Sequence, residues 1–262
     1  MPRIAAMGDT LNELNRKFDQ VRLDQPIFLN SVPKCGTHLF RNIVRMFVPV
    51  EQQYHKTFIQ IMNLHQHVQA FSRSKPMLSW GHLLFSDDSA MALRHVRHVV
   101  LVRDPYDWVL ARARFFLSDT FDGSLDHLKG GNVSLEEALN MMIFGIHNKA
   151  PSMKDIYLNN AIAWLGTNIK LVRFEELILN LKNLDSSEAE SYFSQLLEDC
   201  AIPELPEDWR ERVLVGSDRK QSGTARENLA GSTVDLPDEL PDLQKRLVDV
   251  AIPGYRELLG YE

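Results

Sequence analysis

Three short apolar segments, each with a helix-length segment after it, constrain the fold of this chain more than any other feature. They are residues 27–30 (Ile-Phe-Leu-Asn), 98–102 (His-Val-Val-Leu-Val) and 169–172 (Ile-Lys-Leu-Val). Short apolar runs that end at turn or charge signals are typical of strands buried on both faces. Because helical segments alternate with them, we predict an α/β fold, a three-layer sandwich whose central sheet is mostly parallel.

The predicted helices follow the strands or begin with a cap. They lie at 36–47, 106–117 and 134–148, and the last begins with a capping box of Ser134 and Glu137. The carboxyl ends of parallel strands, where such helices begin, are the usual place for a ligand. These turns are therefore where residues that carry chemistry are expected.

The domain organisation follows from length and composition. With 262 residues, 44% of them hydrophobic, the chain fits one domain, 1–262, with an N-terminal extension at 1–24. Two glycine-containing polar segments, 118–133 and 215–236, are predicted to be loops, the first of them a lid.

Charge and cysteine content exclude several classes of protein. A formal net charge of −6 argues against nucleic acid as the main partner, because phosphate backbones need a basic surface. The two cysteines, Cys35 and Cys200, have no metal-ligand spacing, so no metal site is expected. Residues 1–24 contain no secretory apolar core, and no segment approaches the ~20 apolar residues of a membrane span. We expect a cytoplasmic protein with no membrane span.

The turn after the first strand has the residues of a phosphate-binding loop. It reads Pro-Lys-Cys-Gly-Thr-His over 33–38 and leads directly into a helix, whose free amides favour an anion. Gly36 allows close approach of a ligand, Lys34 adds a charge, and Thr37 can donate from its hydroxyl. The turn is P-loop-like but has no Gly-Lys-Ser/Thr sequence. Taken alone, an ordinary strand–helix turn with one exposed lysine explains it equally well.

A second basic residue, Arg103, ends the next strand and is followed by Asp104 and Pro105, which suit the first turn of a helix. Taken with the first turn, it resembles the PAPS-dependent sulfotransferases, where PAPS is 3′-phosphoadenosine 5′-phosphosulfate. Four segments carry this resemblance, in the order of the family: 32–37 (5′-phosphosulfate loop), 102–107 (3′-phosphate segment), 171–177 and 219–223 (cofactor-closing loop).

The resemblance implies a set of cofactor-binding residues and needs no metal. The residues expected to bind PAPS, or its product 3′-phosphoadenosine 5′-phosphate (PAP), are Lys34, Cys35, Gly36, Thr37, His38, Arg103, Phe174, Arg219, Lys220 and Gly223. The 215–236 loop would close over the 3′-phosphate. Two phosphate groups at opposite ends of one ribose require two separate anion sites, which Lys34 and Arg103 supply.

The resemblance also implies a reaction, the transfer of the sulfuryl group to an acceptor hydroxyl by in-line displacement. His82 stands where the family has its general base, and Lys34 would stabilise the departing phosphate. The acceptor pocket is expected in segments 54–71, 115–126 and 141–157. We expect a small-molecule acceptor, a natural product or a lipid-like compound.

The chain departs from the family at several positions. Ala111 replaces a serine of the 3′-site, Leu39 an aromatic residue, Phe174 a tyrosine, and Trp80 a lysine. Cys35, at a helix start beside a lysine, is predicted to have a lowered thiol pKa.

Two other functions stay open at the level of sequence. One is a Mg-ATP-dependent small-molecule kinase that uses the same strand–loop–helix unit. The other is a nucleotide-binding protein without activity, which the loss of the serine at Ala111 would suit.

Overall fold

The computed structural model describes residues 3–4, 8–118, 121–122, 124–222 and 236–262. The strands are Arg3–Ile4 (β1), Ile27–Ser31 (β2), Ile59–Gln60 (β3), Leu78–His82 (β4), Arg97–Val102 (β5), Phe121–Asp122 (β6) and Ile169–Arg173 (β7). The helices are Leu11–Asn15 (α1), Thr37–Arg45 (α2), Asp87–Ala92 (α3), Pro105–Phe116 (α4), Leu135–Phe144 (α5), Met153–Asn160 (α6), Phe174–Lys182 (α7), Ser187–Asp199 (α8), Trp209–Ser217 (α9), Asp242–Ala251 (α10) and Tyr255–Leu258 (α11). Short 3₁₀ helices connect several of these elements.

The central sheet has five parallel strands in the order β3-β4-β2-β5-β7. Strand β2 lies in the middle, and Asn30 pairs with Gly81 of β4 on one side and Val100 of β5 on the other. A separate antiparallel pair joins β1 to β6. The predicted α/β class with a parallel central sheet is therefore confirmed.

Burial on both faces explains why the strands have nearly continuous apolar sequences. In β2 every residue is buried, and alternation sends Ile27 and Leu29 into one apolar cluster and Phe28 into another. The three strands predicted from sequence appear as β2, β5 and β7, each within a residue of the predicted bounds. Strands β3 and β4 were missed, because Leu78–His82 includes serine, glycine and histidine.

The helix starts follow local capping chemistry. Asp104 caps α4, accepting a hydrogen bond from the backbone amide of Tyr106, with Pro105 at the first helical position. The capping box predicted for α5 is present, because Ser134 and Glu137 exchange side chain–backbone hydrogen bonds of 3.1 and 2.8 Å. Helix α5 ends at Phe144 rather than at the predicted residue 148. The next residue, Gly145, caps this end with a φ of 94°.

The predicted loop 118–133 is more structured than expected where it is described, and of the predicted loop 215–236 the structure describes only 215–222 and 236. Segment 118–133 places Leu125 and Leu128 in the core and contains β6, so its role as a lid stays a prediction. Residues 215–217 belong to helix α9, and a 3₁₀ turn covers Arg219–Gln221. Among the helices of the described residues, none is both long and apolar enough to span a bilayer.

Candidate active site

The turn between β2 and α2 forms the floor of the candidate site at the carboxyl edge of the sheet. Its backbone takes left-handed conformations at Lys34 (φ 70°) and Gly36 (φ 92°). A side chain at position 36 would collide with the ring of Phe174, because an added Cβ would lie 2.4 Å from a ring carbon. Glycine is therefore required here by both backbone conformation and space.

Three side chains at this edge form a continuous hydrogen-bonded chain. The Thr37 hydroxyl lies 2.7 Å from the Ser31 hydroxyl, which in turn lies 3.0 Å from Nδ1 of His82. Nδ1 also lies 2.9 Å from the Ser31 carbonyl oxygen. The chain connects the phosphate-loop turn on β2 with the predicted base on β4. Ser31 was not among the residues predicted from sequence, where its only signal was its place at the end of a buried strand.

Asn30 fixes the strand that carries His82. Its amide donates to the Leu83 carbonyl at 3.0 Å and its side-chain oxygen accepts from the Leu83 amide at 2.9 Å. Both groups are buried, so the side chain is held in one orientation. Asn30 thus sets the position of the residue next to the candidate base, a role that the sequence did not indicate.

The surroundings of His82 keep its imidazole neutral. Burial lowers the pKa of His82 to about 3, and nearby Lys34 acts in the same direction. Since a carbonyl oxygen can only accept, the contact with Ser31 places the proton on Nδ1 and leaves a lone pair on Nε2. The ring of Phe58, from the predicted acceptor segment 54–71, packs edge-on against His82 with centroids 4.7 Å apart.

Lys34 is turned onto an aromatic ring. Its Nζ lies 3.2 Å from the centroid of Phe115, which belongs to the predicted acceptor segment 115–126. Burial lowers the pKa of Lys34 to about 7. An anion beside Nζ would favour the charged form of the amine. Lys34 is therefore suited to bind a phosphate group.

Arg103 extends from the end of β5 over the ring of Phe174, with 4.6 Å from its Cζ to the ring centroid. Its Nε is buried and has no acceptor within the described part of the chain. A buried guanidinium donor without an acceptor is costly, and an anionic ligand would satisfy it. Gly36, Phe174 and Arg103 therefore form one side of a cationic edge.

The C-terminal segment holds the turn that carries Arg103. Arg256 forms two hydrogen bonds with the Asp104 carboxylate, at 2.9 and 3.2 Å. Glu175 accepts the Asp104 backbone amide at 3.0 Å and the Tyr261 hydroxyl at 2.8 Å. These contacts fix the start of α4 from outside the ligand edge, and only Asp104 was singled out from sequence.

The structure changes the prediction for Cys35, while the cofactor-binding role of His38 stays a prediction. Cys35 is fully buried, and burial raises the pKa of its thiol well above the ordinary value, with Arg103 only partly opposing this. The predicted lowering of the Cys35 pKa is therefore wrong, because the helix start shields the thiol from water. His38 packs edge-on against Trp80, and burial, with Arg41 and Lys34, lowers the pKa of His38 to about 4.

The predicted cofactor-closing residues are only partly located. Arg219 and Lys220 are exposed in the 3₁₀ turn after α9. This turn is attached to the body of the protein by Gln221, which accepts the Thr10 backbone amide at 2.9 Å. Gly223 lies outside the described residues. The structure thus brings together the predicted residues from β2, β4, β5 and α7, while a contact of Arg219 or Lys220 with them stays a prediction.

Comparisons with known proteins place this geometry in a fold class. No family model matches the chain, and no curated protein sequence matches it. Among solved structures it is similar to mouse sulfotransferase SULT7A1 complexed with PAP, with 14% identity and a TM-score of 0.56, over 94% of this chain and 89% of that chain. Retinol dehydratase in complex with androsterone and inactive cofactor PAP aligns at 13% identity with a TM-score of 0.48, over 88% and 80%.

The protein therefore has a PAPS-dependent sulfotransferase-type α/β fold, which confirms the fold implied by the sequence motifs. Its catalytic activity is a separate question, which the site residues address.

Proposed function

We propose that this protein is a PAPS-dependent sulfotransferase that transfers a sulfuryl group to the hydroxyl of a small-molecule acceptor. The observation that carries the proposal is the Thr37–Ser31–His82 chain, which joins the phosphate-loop turn to a neutral histidine at the carboxyl edge of the sheet. The sulfotransferase-type fold supports it.

The residues present fit PAPS. The buried Nε of Arg103, which has no acceptor among the described residues, and the close packing of Gly36 against Phe174 suit a cationic site with an aromatic wall. Lys34 and the first amides of α2 suit the 5′ end, and Arg103 the 3′-phosphate. Arg219, Lys220 and Gly223 complete the 3′-site in this proposal. When bound, PAPS supplies the sulfuryl group and leaves as PAP.

His82 acts as the general base. Its Nε2 accepts the proton of the acceptor hydroxyl, while Nδ1–H stays hydrogen-bonded to the Ser31 carbonyl. The imidazolium formed is stabilised by that same contact, which orients the ring before and after proton transfer. Ser31 and Thr37 hold the imidazole ring of His82 at a fixed position relative to the phosphate-loop turn.

Lys34 binds and stabilises the phosphate from which the sulfuryl group departs. Its Nζ leaves the ring of Phe115 for the anion, and its charged form is favoured by that contact. Phe58 and Phe115 exclude water from the acceptor side. In this proposal the acceptor is a partly apolar hydroxyl compound, no metal takes part, and the enzyme acts in the cytoplasm.

The test is a calorimetric titration of PAP into the purified protein, beside ATP with Mg²⁺. Wild type should bind PAP without a metal, and Lys34→Ala and Arg103→Ala should each weaken binding by about tenfold or more, since each removes a charge-assisted contact. Arg94→Gln, which changes an exposed arginine, is the matched control.

The outcomes separate the alternatives. Preference for ATP with Mg²⁺ would indicate a kinase. Binding of neither PAP nor ATP would reject both the sulfotransferase and the kinase. Binding of PAP without turnover of PAPS over a broad panel of phenols, alcohols and sterols would indicate a nucleotide-binding protein without activity.

A further inference from the structure

Arg41 is a cationic residue of α2 that the proposed reaction does not use. Its guanidinium lies over the ring of Trp80, with 4.1 Å from Cζ to the ring centroid. It is half-buried and borders a small surface cleft together with His55 and Gln53. Among the described residues, no hydrogen-bond acceptor contacts its guanidinium.

Arg45, one turn further along α2, shows what a structural arginine in this region looks like. It is almost fully buried, forms two hydrogen bonds to Asp9 at 2.9 and 3.2 Å, and donates to Asn12 and Gln53. Each of the three guanidinium nitrogens of Arg45 therefore donates at least one hydrogen bond. Arg41 contacts the ring of Trp80 and, among the described residues, no hydrogen-bond acceptor, so its N–H donors can bind an outside ligand.

The charges around Arg41 describe a region of positive potential. Burial lowers the pKa of Arg41 to about 9, and Arg45 beside it acts in the same direction. Arg41 in turn contributes to the lowered pKa of both His38 and His55. Among the described residues, the carboxylate that acts on Arg41, His38 and His55 in the opposite sense is Asp9, which is already paired with Arg45. The region is therefore suited to an anion from outside the chain.

The cleft is lined by Leu78 and Trp80 of β4, the strand that also carries the proposed base. Leu78, Trp80 and His82 alternate along β4, so their side chains share one face, with Trp80 and His82 about 7 Å apart. Phe58 connects the two, with centroids 4.9 Å from Trp80 and 4.7 Å from His82. A molecule whose hydroxyl reaches His82 would extend across Phe58 and Trp80 toward Arg41.

We propose that Arg41 binds a carboxylate of the acceptor, so that the acceptor is a hydroxy acid with its hydroxyl and carboxylate about 7–10 Å apart. This inference rests on the proposed sulfotransferase function and names its substrate class. The hydroxyl meets His82, the apolar part packs on Phe58 and Trp80, and the carboxylate meets Arg41.

The experiment compares acids with their uncharged amides. 4-Hydroxyphenylacetate and 3-(4-hydroxyphenyl)propionate, each beside its primary amide, are titrated by calorimetry into protein saturated with PAP, and their turnover is measured with PAPS. At least one acid should bind about tenfold or more tightly than its amide, because a charged hydrogen bond is lost in the amide. In Arg41→Gln the affinity for the acid should be close to that for its amide. Arg41→Lys should recover part of the preference for the acid, and Arg94→Gln should retain the full preference.

Two results would overturn the inference. One is the absence of any preference for acids over amides in wild type, or a preference that Arg41→Gln leaves intact. The other is an equal loss of acid, amide and PAP binding in Arg41→Gln, which would assign Arg41 to the nucleotide. Failure of wild type to bind PAP contradicts the proposed function instead, and the acid-to-amide ratio is then measured on the protein without nucleotide.

Discussion

Nδ1 of His82 lies 2.9 Å from the backbone carbonyl oxygen of Ser31 and 3.0 Å from the hydroxyl of the same residue. The carbonyl oxygen has no proton to give, so this contact selects the tautomer with hydrogen on Nδ1. A single residue of β2 therefore determines which nitrogen of a histidine on β4 is free to take a proton.

This relationship predicts both the spectrum and the kinetics of His82. In ¹⁵N NMR, His82 should show the neutral Nδ1–H tautomer and no titration from about pH 8 down to about pH 4, since burial lowers its pKa to about 3. His82→Gln should lower kcat by about 10²–10⁴-fold and leave PAP affinity little changed. The exposed His95, as His95→Gln, is the control, and an unchanged kcat in His82→Gln would reject the base assignment.

Buried histidines predict how stability depends on acid. Burial lowers the pKa of His82 and of His98 to about 3, whereas the unfolded chain takes up these protons near pH 6.5. Because the unfolded state binds more protons in this window, the free energy of unfolding should fall as pH falls from about 6.5 toward 3. Each group contributes up to about 1.4 kcal/mol per pH unit. Urea unfolding of His98→Leu against pH should show a smaller slope than wild type, and an equal slope would contradict the prediction.

Lys34 predicts a pH dependence for nucleotide binding. Since burial lowers its pKa to about 7 in the protein without ligand, the charged form is lost above that value. PAP affinity should therefore weaken as pH rises through about 7, by up to tenfold per pH unit. Calorimetry between about pH 6 and 9 measures this slope. Lys34→Arg, which keeps its charge, should flatten it, and equal slopes in the two proteins would count against the role of Lys34.

Adding one methyl group at position 36 should lower the free energy of unfolding strongly. Gly36→Ala should destabilise the fold by about 2–4 kcal/mol, because it adds backbone strain at a φ of 92° to a collision with the Phe174 ring. Gly166→Ala is the matched control, since Gly166 has a φ of 78° but nothing within 4 Å of an added Cβ. It should cost about 1 kcal/mol in urea unfolding. Equal losses in the two variants would show that the ring moves aside freely.

The Asp104–Arg256 pair predicts that the C-terminal segment supports the nucleotide site. Arg256→Gln should cost about 1–3 kcal/mol in stability and weaken PAP binding, because it leaves a largely covered carboxylate without its fork-like partner beside Arg103. Lys245→Gln, which removes a pair with the exposed Glu239, should cost less than about 1 kcal/mol. A PAP affinity unchanged in Arg256→Gln would limit the pair to stability.

Much of the frame was predictable from sequence. Strands β2, β5 and β7 and the starts of α2, α4 and α5 follow from apolar runs and capping residues, which act over a few neighbouring positions. Strand β4, which carries His82, was not predictable from sequence. Its residues become a strand because they pair with β2 along Ile27–Asn30, a contact between segments about fifty residues apart.

The same division holds within the site. The sequence indicated Lys34, Gly36, Thr37, His82 and Arg103 through motif resemblance, but it gave no signal for the hydrogen bonds of Ser31 and Asn30. It also predicted the wrong direction for the Cys35 pKa, because burial is a property of the packed helix start and not of its neighbours in sequence.

The sequence by itself determined the alternation of strands with helices and the basic turns at the strand ends, because periodicity, caps and glycine conformations are local properties. Only the tertiary structure decided which side chains meet, that Phe174 covers Gly36 and that Arg41 lies on Trp80 without an acceptor from the described residues. The pKa values of His82 and Lys34 were also decided there. The reason is physical, since exclusion of water and the approach of distant charges exist only once the sheet has assembled.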